Sequence, residues 1–195
     1  MVIASTPNDR SRGIVALIEG FFAMWFGWGQ AQAPLWLTVP LLVGSALGAV
    51  VAVVGGVVAA RATGQRTSMA DPEIRQRYNV IVGVEFGLIV VGVLVLGKSG
   101  APTWIPVWVC AVVGAHFLPL ARVFPGLLLV PLAAALLVVA LGALLVGLLT
   151  ATSPSTVAGP GAGLSLLAAA VAVLGAASVF RGGTIAGPVL PLRTG

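Results

Sequence analysis

The sequence predicts an all-α protein built from membrane-spanning helices, and three observations support this fold class. Hydrophobic residues make up 59% of the 195 residues, and charged residues make up only 8%. A water-soluble domain could not cover so much apolar surface with so few polar side chains, whereas a bilayer is itself an apolar solvent. The apolar residues form continuous blocks of about 20 residues, the length of a transmembrane helix. Basic residues separate these blocks, so we predict a polytopic transmembrane helical bundle that forms a single domain over residues 1–195.

Six blocks are long and apolar enough to span about 30 Å of hydrocarbon. They cover residues 13–30, 35–60, 78–96, 104–120, 127–149 and 164–180. The first block contains Glu19 and is not followed by a small-residue cleavage pattern before the second block, so we interpret it as a retained span and not as a signal peptide. Because the blocks are continuously apolar and do not alternate with polar residues, helices are favoured over the strands of a β-barrel.

The distribution of basic residues predicts how the six spans are oriented. If the amino terminus is cytoplasmic, nine of the ten Lys and Arg residues lie on the inside and only Lys98 lies outside. The nine inside residues are Arg10, Arg12, Arg61, Arg66, Arg75, Arg77, Arg122, Arg181 and Arg193. An even number of spans is needed for this separation. We therefore predict that both termini are cytoplasmic and that the protein lies in the inner or plasma membrane of the cell.

The five tryptophans fall at the predicted outer ends of the first, second and fourth spans. They are Trp25, Trp28, Trp36, Trp104 and Trp108. Indole rings prefer the headgroup region, where the ring is half buried and the N–H stays hydrated. The sequence therefore predicts an aromatic belt at the outer interface.

The segments between the spans predict little soluble structure. In the inner loop, Asp71 followed by Pro72 is typical of a helix start, with Asp71 as the N-cap and Pro72 at the first helical position. Residues 150–163 are rich in Gly, Pro, Ser and Thr, which predicts turns. This segment lacks the residue order of a phosphate-binding loop.

Two pairs of glycines predict places where helices approach closely. Gly44 and Gly48 form a GxxxG pattern in the second span, and Gly83 and Gly87 form another in the third. Small residues at this spacing let a neighbouring backbone come near in a membrane.

Three ionisable side chains lie inside the apolar blocks. They are Glu19, Glu85 and His116, the last being the only histidine. At a rise of 1.5 Å per residue from the nearest inner Arg, Glu19 lies roughly 10 Å deep, Glu85 roughly 12 Å and His116 roughly 9 Å. A charged side chain facing lipid costs on the order of 3 kcal/mol. We therefore expect the three to turn inward and form a cluster that binds a ligand or shares protons, or that serves as a hydrogen-bonded packing group.

Two further residues are predicted to support this cluster. Pro119 has no N–H to donate to the carbonyl of Ala115, so the helix has a free acceptor next to His116. Arg122 ends the same span, either as an anchor at the inner surface or as an ion-pair partner for the acids of the inner loop.

Composition excludes several kinds of site and partner. A single histidine excludes a haem held by two histidines, and a retinal Schiff base needs a lysine inside a span, whereas Lys98 lies in an outer loop. A single cysteine, Cys110, excludes an intrachain disulfide and a Cys-rich metal site. The basic residues are spaced between apolar blocks and do not form a nucleic-acid patch. Composition does not exclude a divalent metal site formed by Glu19, Glu85 and His116.

Residues 114–126 read GAHFLPLARVFPG and follow WIPVWV after a span that contains a buried glutamate. This run resembles the G-x-H-F-x-P-L-A-R motif of an uncharacterised family of small bacterial multi-pass membrane proteins. Every fixed position is present, namely Gly114, His116, Phe117, Pro119, Leu120, Ala121 and Arg122. The resemblance covers roughly the third to fifth spans and implies a bacterial integral membrane protein, but it implies no activity.

Three classes of function are consistent with these features. The first is a structural or accessory membrane subunit in which the Glu19, Glu85 and His116 cluster fixes helix packing. The second is a small proton- or cation-coupled transporter or channel that uses the cluster. The third is a membrane-embedded metal-dependent enzyme, although no reaction is indicated. The expected partners are the lipid bilayer and a second copy of the chain or another membrane subunit. A hydrated cavity at the cluster would favour transport, whereas a dry and fully hydrogen-bonded cluster would favour packing.

Overall fold

The computed structural model describes residues 8–28, 35–62, 64 and 68–182, and this part of the chain is all-helical with no strand. Six α-helices occur there: α1 (Asp9–Trp28), α2 (Leu35–Arg61), α3 (Pro72–Lys98), α4 (Ile105–Val123), α5 (Leu129–Leu149) and α6 (Ser155–Gly182). Two short 3₁₀ turns, Ser68–Ala70 and Pro102–Trp104, precede α3 and α4. The predicted all-α class is confirmed. Arg66 and Arg193, used above to orient the spans, lie outside the described residues.

Five helical segments are long and apolar enough to cross a membrane. They are Trp36–Arg61, Pro72–Lys98, Pro102–Val123, Leu129–Leu149 and Ser155–Gly175. Most of their large apolar side chains face outward, and along α3 only Gly92 is buried. An outward-facing apolar surface of this extent is what lipid solvates and water does not. These helices therefore indicate a membrane protein.

Helix α3 begins earlier than the third apolar block because its start is capped. Asp71 accepts a hydrogen bond from the Glu73 backbone N–H at 2.8 Å, and Pro72 takes the first helical position. Arg77 then pairs with Glu73 one turn later, at 2.6 Å on the exposed surface. The polar segment 72–77 is thus continuous with the apolar part of α3, as the sequence signature predicted.

Helix α6 also begins earlier than expected: residues 150–154 form the predicted turn, but the prediction of turns was wrong for residues 155–163. Residues 155–163 are helical even though they contain Pro160 and several glycines. Ala158 and Ala162 are fully buried, and Gly161 leaves room for Val139 of α5. The low helix propensity of this segment is overcome because its small side chains let α6 pack closely on α5.

The order of packing around the bundle differs from the order along the chain. Helix α1 packs mainly on α2 and α6, α6 also contacts α5, α5 contacts α4, and α4 contacts α3. The centre is formed by Cys110, Leu132, Leu136 and Leu166, all buried. Helix α3 packs mainly on α4, so it lies at the end of this series and exposes most of its surface.

The closest helix contact joins α1 to α2 through glycines spaced seven residues apart. A Cβ added at Gly20 would lie 2.7 Å from the backbone N of Ala52, and one at Gly55 would lie 2.6 Å from the backbone N of Leu17. Gly48, one of the predicted GxxxG pair, takes part in this contact. Among the described residues, Gly44, Gly83 and Gly87 have no neighbour within 4 Å of such a Cβ, so their predicted close approach does not occur within that part of the chain.

Helix α3 is fixed to α4 by a tryptophan and not only by aliphatic contacts. The Trp108 indole N–H donates a hydrogen bond to the Leu88 backbone carbonyl at 2.9 Å, and the ring lies against Gly92. The sequence predicted Trp108 to be an interfacial residue of the aromatic belt. Its N–H is instead bonded to a neighbouring helix. Trp36 is 75% exposed at the start of α2, and the side chains of Trp25 and Trp28 lie outside the described residues.

Candidate functional site

Glu19 is presented by the middle of α1 and is almost completely buried. It is 2% exposed, and Ala16 and Ala23 on the same side of the helix are also buried. Neither carboxyl oxygen has a hydrogen-bond partner among the described residues. Burying a polar group without a partner is costly, and native structures rarely leave one in this state without a ligand, ion or water nearby.

Glu85 of α3 and His116 of α4 form a close pair between neighbouring helices. The His116 Nδ1 lies 3.2 Å from the Glu85 Oε2, and the two side chains are 8% and 13% exposed. This distance is that of an ion pair, but the alignment does not meet the angular requirement for a hydrogen bond to Nδ1. Helix packing brings the two side chains together, and a rotation of the imidazole about χ2 would change the alignment of Nδ1 with the carboxyl group.

Glu19, Glu85 and His116 line one cavity of about 340 Å³ between α1, α3 and α4. The cavity extends from Ser11 and Met69, near the starts of α1 and α3, to Leu166 of α6. Three helices that are separate in sequence thus direct their buried ionisable groups into one space. Its volume is within the range of about 300–1,000 Å³ that is usual for small-molecule sites.

Most of the cavity wall is apolar, and part of its rim faces outward. Ile14, Ile18 and Phe22 of α1 and Phe86 of α3 line the cavity and are also 37–57% exposed. These side chains border a gap between α1 and α3, which are not close packing partners. The cavity is therefore open laterally between α1 and α3, where exposed apolar side chains form its rim.

The structure places Arg122 and Pro119 away from the cavity wall. Arg122 is exposed at the end of α4, and no ion pair to Asp71 or Glu73 forms in the described part of the chain. Helix α4 continues through Pro119. The carbonyl that Pro119 leaves without a helix donor belongs to Ala115, which is exposed and does not line the cavity. These residues shape α4 without contributing a group to the site.

Sequence reasoning missed the aromatic side chains of the wall. The cavity is lined by Phe22, Tyr78, Phe86, Phe117 and Phe124. The Tyr78 and Phe124 rings meet edge to face, with their centroids 6.1 Å apart. An aromatic residue in an apolar block gives no sequence signal of its direction, because lipid-facing and cavity-facing positions accept the same side chain.

The described ranges contain no group of three or more His, Cys, Asp or Glu side chains arranged to hold a metal ion. Cys110 is buried in the centre of the bundle, where its thiol donates to the Leu136 carbonyl at 3.2 Å. Its burial and this hydrogen bond are those of a residue that packs the centre of the bundle.

Comparisons of the chain with family models, with curated proteins and with solved structures found no match. The resemblance of residues 114–122 to a membrane-protein motif therefore stays a prediction. The functional argument depends on the geometry of the cavity and its side chains.

The Glu85–His116 pair should be measurable as an energetic coupling between α3 and α4. We expect Glu85→Gln and His116→Gln to destabilise the protein less than additively when combined, with a coupling of about 0.6–1.7 kcal/mol. The free energy of unfolding in mixed micelles, measured for both single variants and the double variant, checks this. Strictly additive effects would show that the two side chains do not interact.

Proposed function

We propose that this protein is a six-span cell-membrane protein that binds a small solute in the cavity between α1, α3 and α4 and moves it across the bilayer. The observation that carries the proposal is Glu19, whose two buried carboxyl oxygens have no partner in the described structure yet border a cavity of about 340 Å³. A bound solute would supply the missing partner. Glu85 and His116, on the other walls of the cavity, provide a second polar contact.

A purely structural role accounts less well for Glu19. A packing cluster in a bilayer is stabilised by satisfied hydrogen bonds, and a half-satisfied one is less stable than an apolar core. Glu85 and His116 come nearer to such a cluster, because the His116 Nδ1 lies 3.2 Å from the Glu85 Oε2. Glu19 does not, since leucine or alanine at its position would avoid an unpartnered carboxyl group.

In the proposed topology α1 also spans the membrane, in addition to the five long apolar helices, and both termini are cytoplasmic. Helix α1 has 20 residues, which at 1.5 Å per residue gives about 30 Å, the thickness of the hydrocarbon layer. It packs along α2 and α6, both of which are apolar enough to cross a membrane. The basic residues at Arg10, Arg12 and Arg61 would then share the inner surface.

The lateral opening gives the solute a route into the site. A molecule dissolved in the bilayer could enter between α1 and α3 past exposed Ile18 and Phe86. The wall is mainly apolar, so the body of the solute should be apolar as well. The same opening suits a membrane-embedded enzyme, for which the Glu85–His116 pair could serve in acid–base catalysis.

An accessory membrane subunit is the second candidate, and the exposure of α3 favours it. Only Gly92 of this helix is buried, and its contacts with the bundle include Trp108, the Glu85–His116 pair and the packing of Tyr78 on Phe124. A second copy of the chain or another membrane subunit could cover the outer face of α3. In that case the pair would set the position of α3 for assembly and would carry no solute.

Flux measurements separate these two functions. We expect purified protein in liposomes to give a flux of protons or of small cations, inorganic or organic, that Glu85→Gln lowers at least about tenfold, because the variant removes the charge that pairs with His116. Glu73→Gln is the matched control, since Glu73 lies on the same helix but is exposed and pairs with Arg77. Its flux should equal that of the wild type.

Two other results would count against the proposal. Absence of flux of protons, inorganic cations and organic cations in the wild type and both variants would count against transport and would favour the accessory subunit. Equal flux in the wild type and Glu85→Gln would show that Glu85 takes no part in transport.

A further inference from the structure

We infer that the cavity binds a small organic cation whose charge is surrounded by apolar groups, such as a substituted ammonium ion. This inference rests on the proposed function and names the class of solute. It is carried by three features of the cavity wall: its acids, its aromatic rings, and the absence of Lys and Arg among its described residues.

Acidic side chains outnumber basic ones in the described part of the wall, where His116 is the one basic residue. Two acidic residues, Glu19 and Glu85, line the cavity, and no Lys or Arg is among its described lining residues. Glu85 already lies close to His116, whereas Glu19 has no donor in the described structure. An ion of positive charge would give Glu19 the opposite charge that the protein does not provide there, and buried charges are tolerated when they are paired in this way.

The aromatic residues fit the same kind of solute. Phe22 and Phe86 lie at the outward-facing rim, while Tyr78, Phe117 and Phe124 are half-buried and line the rest of the wall. The faces of aromatic rings attract cations, and several rings around one site are a known means of binding quaternary ammonium groups. Aromatic contact also suits the apolar substituents of such an ion. A neutral apolar solute would use the rings but would leave Glu19 without a partner.

Divalent ions such as Ca²⁺ and Mg²⁺ fit the wall less well. Ca²⁺ takes about six to eight oxygen ligands and Mg²⁺ requires near-octahedral coordination. The described wall offers the carboxyl groups of Glu19 and Glu85 and the imidazole of His116 among mostly apolar side chains, and no group arranged to hold a metal is found among the described residues. An organic cation carries its own apolar shell and needs no such set of ligands.

The lateral opening and the cavity volume limit the size of the cation. About 340 Å³ accommodates an ion with one aromatic ring or several short alkyl groups. Such ions are amphipathic and partition into the bilayer, from which the gap beside exposed Ile18 and Phe86 would admit them. The charge would then lie deeper, next to Glu19.

A pair of probes of the same shape tests the inference. Benzyltrimethylammonium carries a fixed positive charge, and 2,2-dimethylpropylbenzene replaces its nitrogen with carbon and is neutral. Calorimetric titration of the protein in nanodiscs, with the heat of empty nanodiscs subtracted, should show that the cation binds at least about tenfold more tightly than the neutral compound. This comparison uses the wild-type chain and does not depend on the folding of a variant.

Variants then locate the charge contact. Glu19→Gln should lose most of the preference for the cation, because its amide keeps the shape of the side chain but removes the charge. Glu73→Gln should keep the wild-type preference, since Glu73 is exposed outside the cavity. Equal binding of both probes to the wild type would contradict the preference for a cation, although the cavity would still be a site for a solute. Binding of neither probe would also overturn it, and the liposome fluxes would still decide the proposed function separately.

Discussion

Gly20→Ala is expected to destabilise the protein by about 1–3 kcal/mol, the usual range for an overpacked interior. The new Cβ would lie 2.7 Å from the backbone N of Ala52 and 2.8 Å from the backbone O of Gly48. Neither of these atoms can move without shifting α2, because both belong to the backbone of that helix. Thermal unfolding in detergent, followed by the loss of monodisperse protein on gel filtration, measures the effect. Gly55→Ala on the facing helix should give a similar loss.

Gly83→Ala is the matched control and should change stability in the opposite direction. No atom lies within 4 Å of a Cβ added at Gly83. Alanine stabilises a helix interior by about 0.5–1 kcal/mol relative to glycine when nothing opposes it. Equal destabilisation at Gly20 and Gly83 would show that the contact between α1 and α2 is not as close as the structure has it.

Gly92→Val is expected to weaken the packing of α3 on α4, so that α3 opens locally more often while the other helices stay packed. A side chain at this position would overlap the indole of Trp108. The ring would have to move away, and its hydrogen bond to the Leu88 carbonyl would be lost. A cost of about 1–3 kcal/mol corresponds to a roughly 5- to 150-fold increase in local opening. Hydrogen–deuterium exchange should therefore accelerate in α3, with little change in α5.

Two comparisons make this result specific to the tryptophan contact. Gly87→Val adds the same side chain to α3 where no atom lies within 4 Å of the Cβ, so it should leave the exchange of α3 nearly unchanged. In a Trp108→Ala background the ring is absent, so Gly92→Val should cost little more. Fast exchange of α3 in Gly87→Val would contradict the assignment of Trp108 as the contact that holds this helix.

The sequence was a good guide to the helices because a bilayer imposes a strong requirement on them. Every backbone polar group in hydrocarbon must be bonded within the protein, so a long apolar block has few alternatives to a helix. Local chemistry also placed the start of α3, where Asp71 accepts from Glu73 and Pro72 follows. Such short-range contacts depend only on residues that are adjacent in the chain.

The sequence also singled out Glu19, Glu85 and His116 as buried ionisable groups, because charge is rare in apolar blocks. It could not show that the three line one cavity, that Glu85 pairs with His116, or that Glu19 has no partner. Those facts depend on how α1, α3 and α4 rotate and pack. The same is true of the aromatic wall, since the direction of Phe86 or Phe117 is invisible in an apolar run.

Glycine patterns were the least reliable guide to packing. The GxxxG pair at Gly83 and Gly87 has no neighbour in the structure, whereas Gly20 and Gly55 meet opposite backbones closely. Glycine permits a close approach but does not cause one. The low-propensity start of α6 shows the converse, because packing on α5 makes residues 155–163 helical against their composition.

The sequence by itself determined that the chain is helical, apolar and marked by three ionisable groups within its apolar segments. Only the tertiary structure decided that these groups border one cavity and that Glu19 has no hydrogen-bond partner among the described residues. It also decided that Trp108 of α4 contacts α3 through a hydrogen bond to the Leu88 carbonyl. The physical reason is that hydrophobic burial in a bilayer is nearly the same for every rotation of an apolar helix. Side-chain fit between helices, which no single segment contains, selects one rotation and thereby creates the cavity.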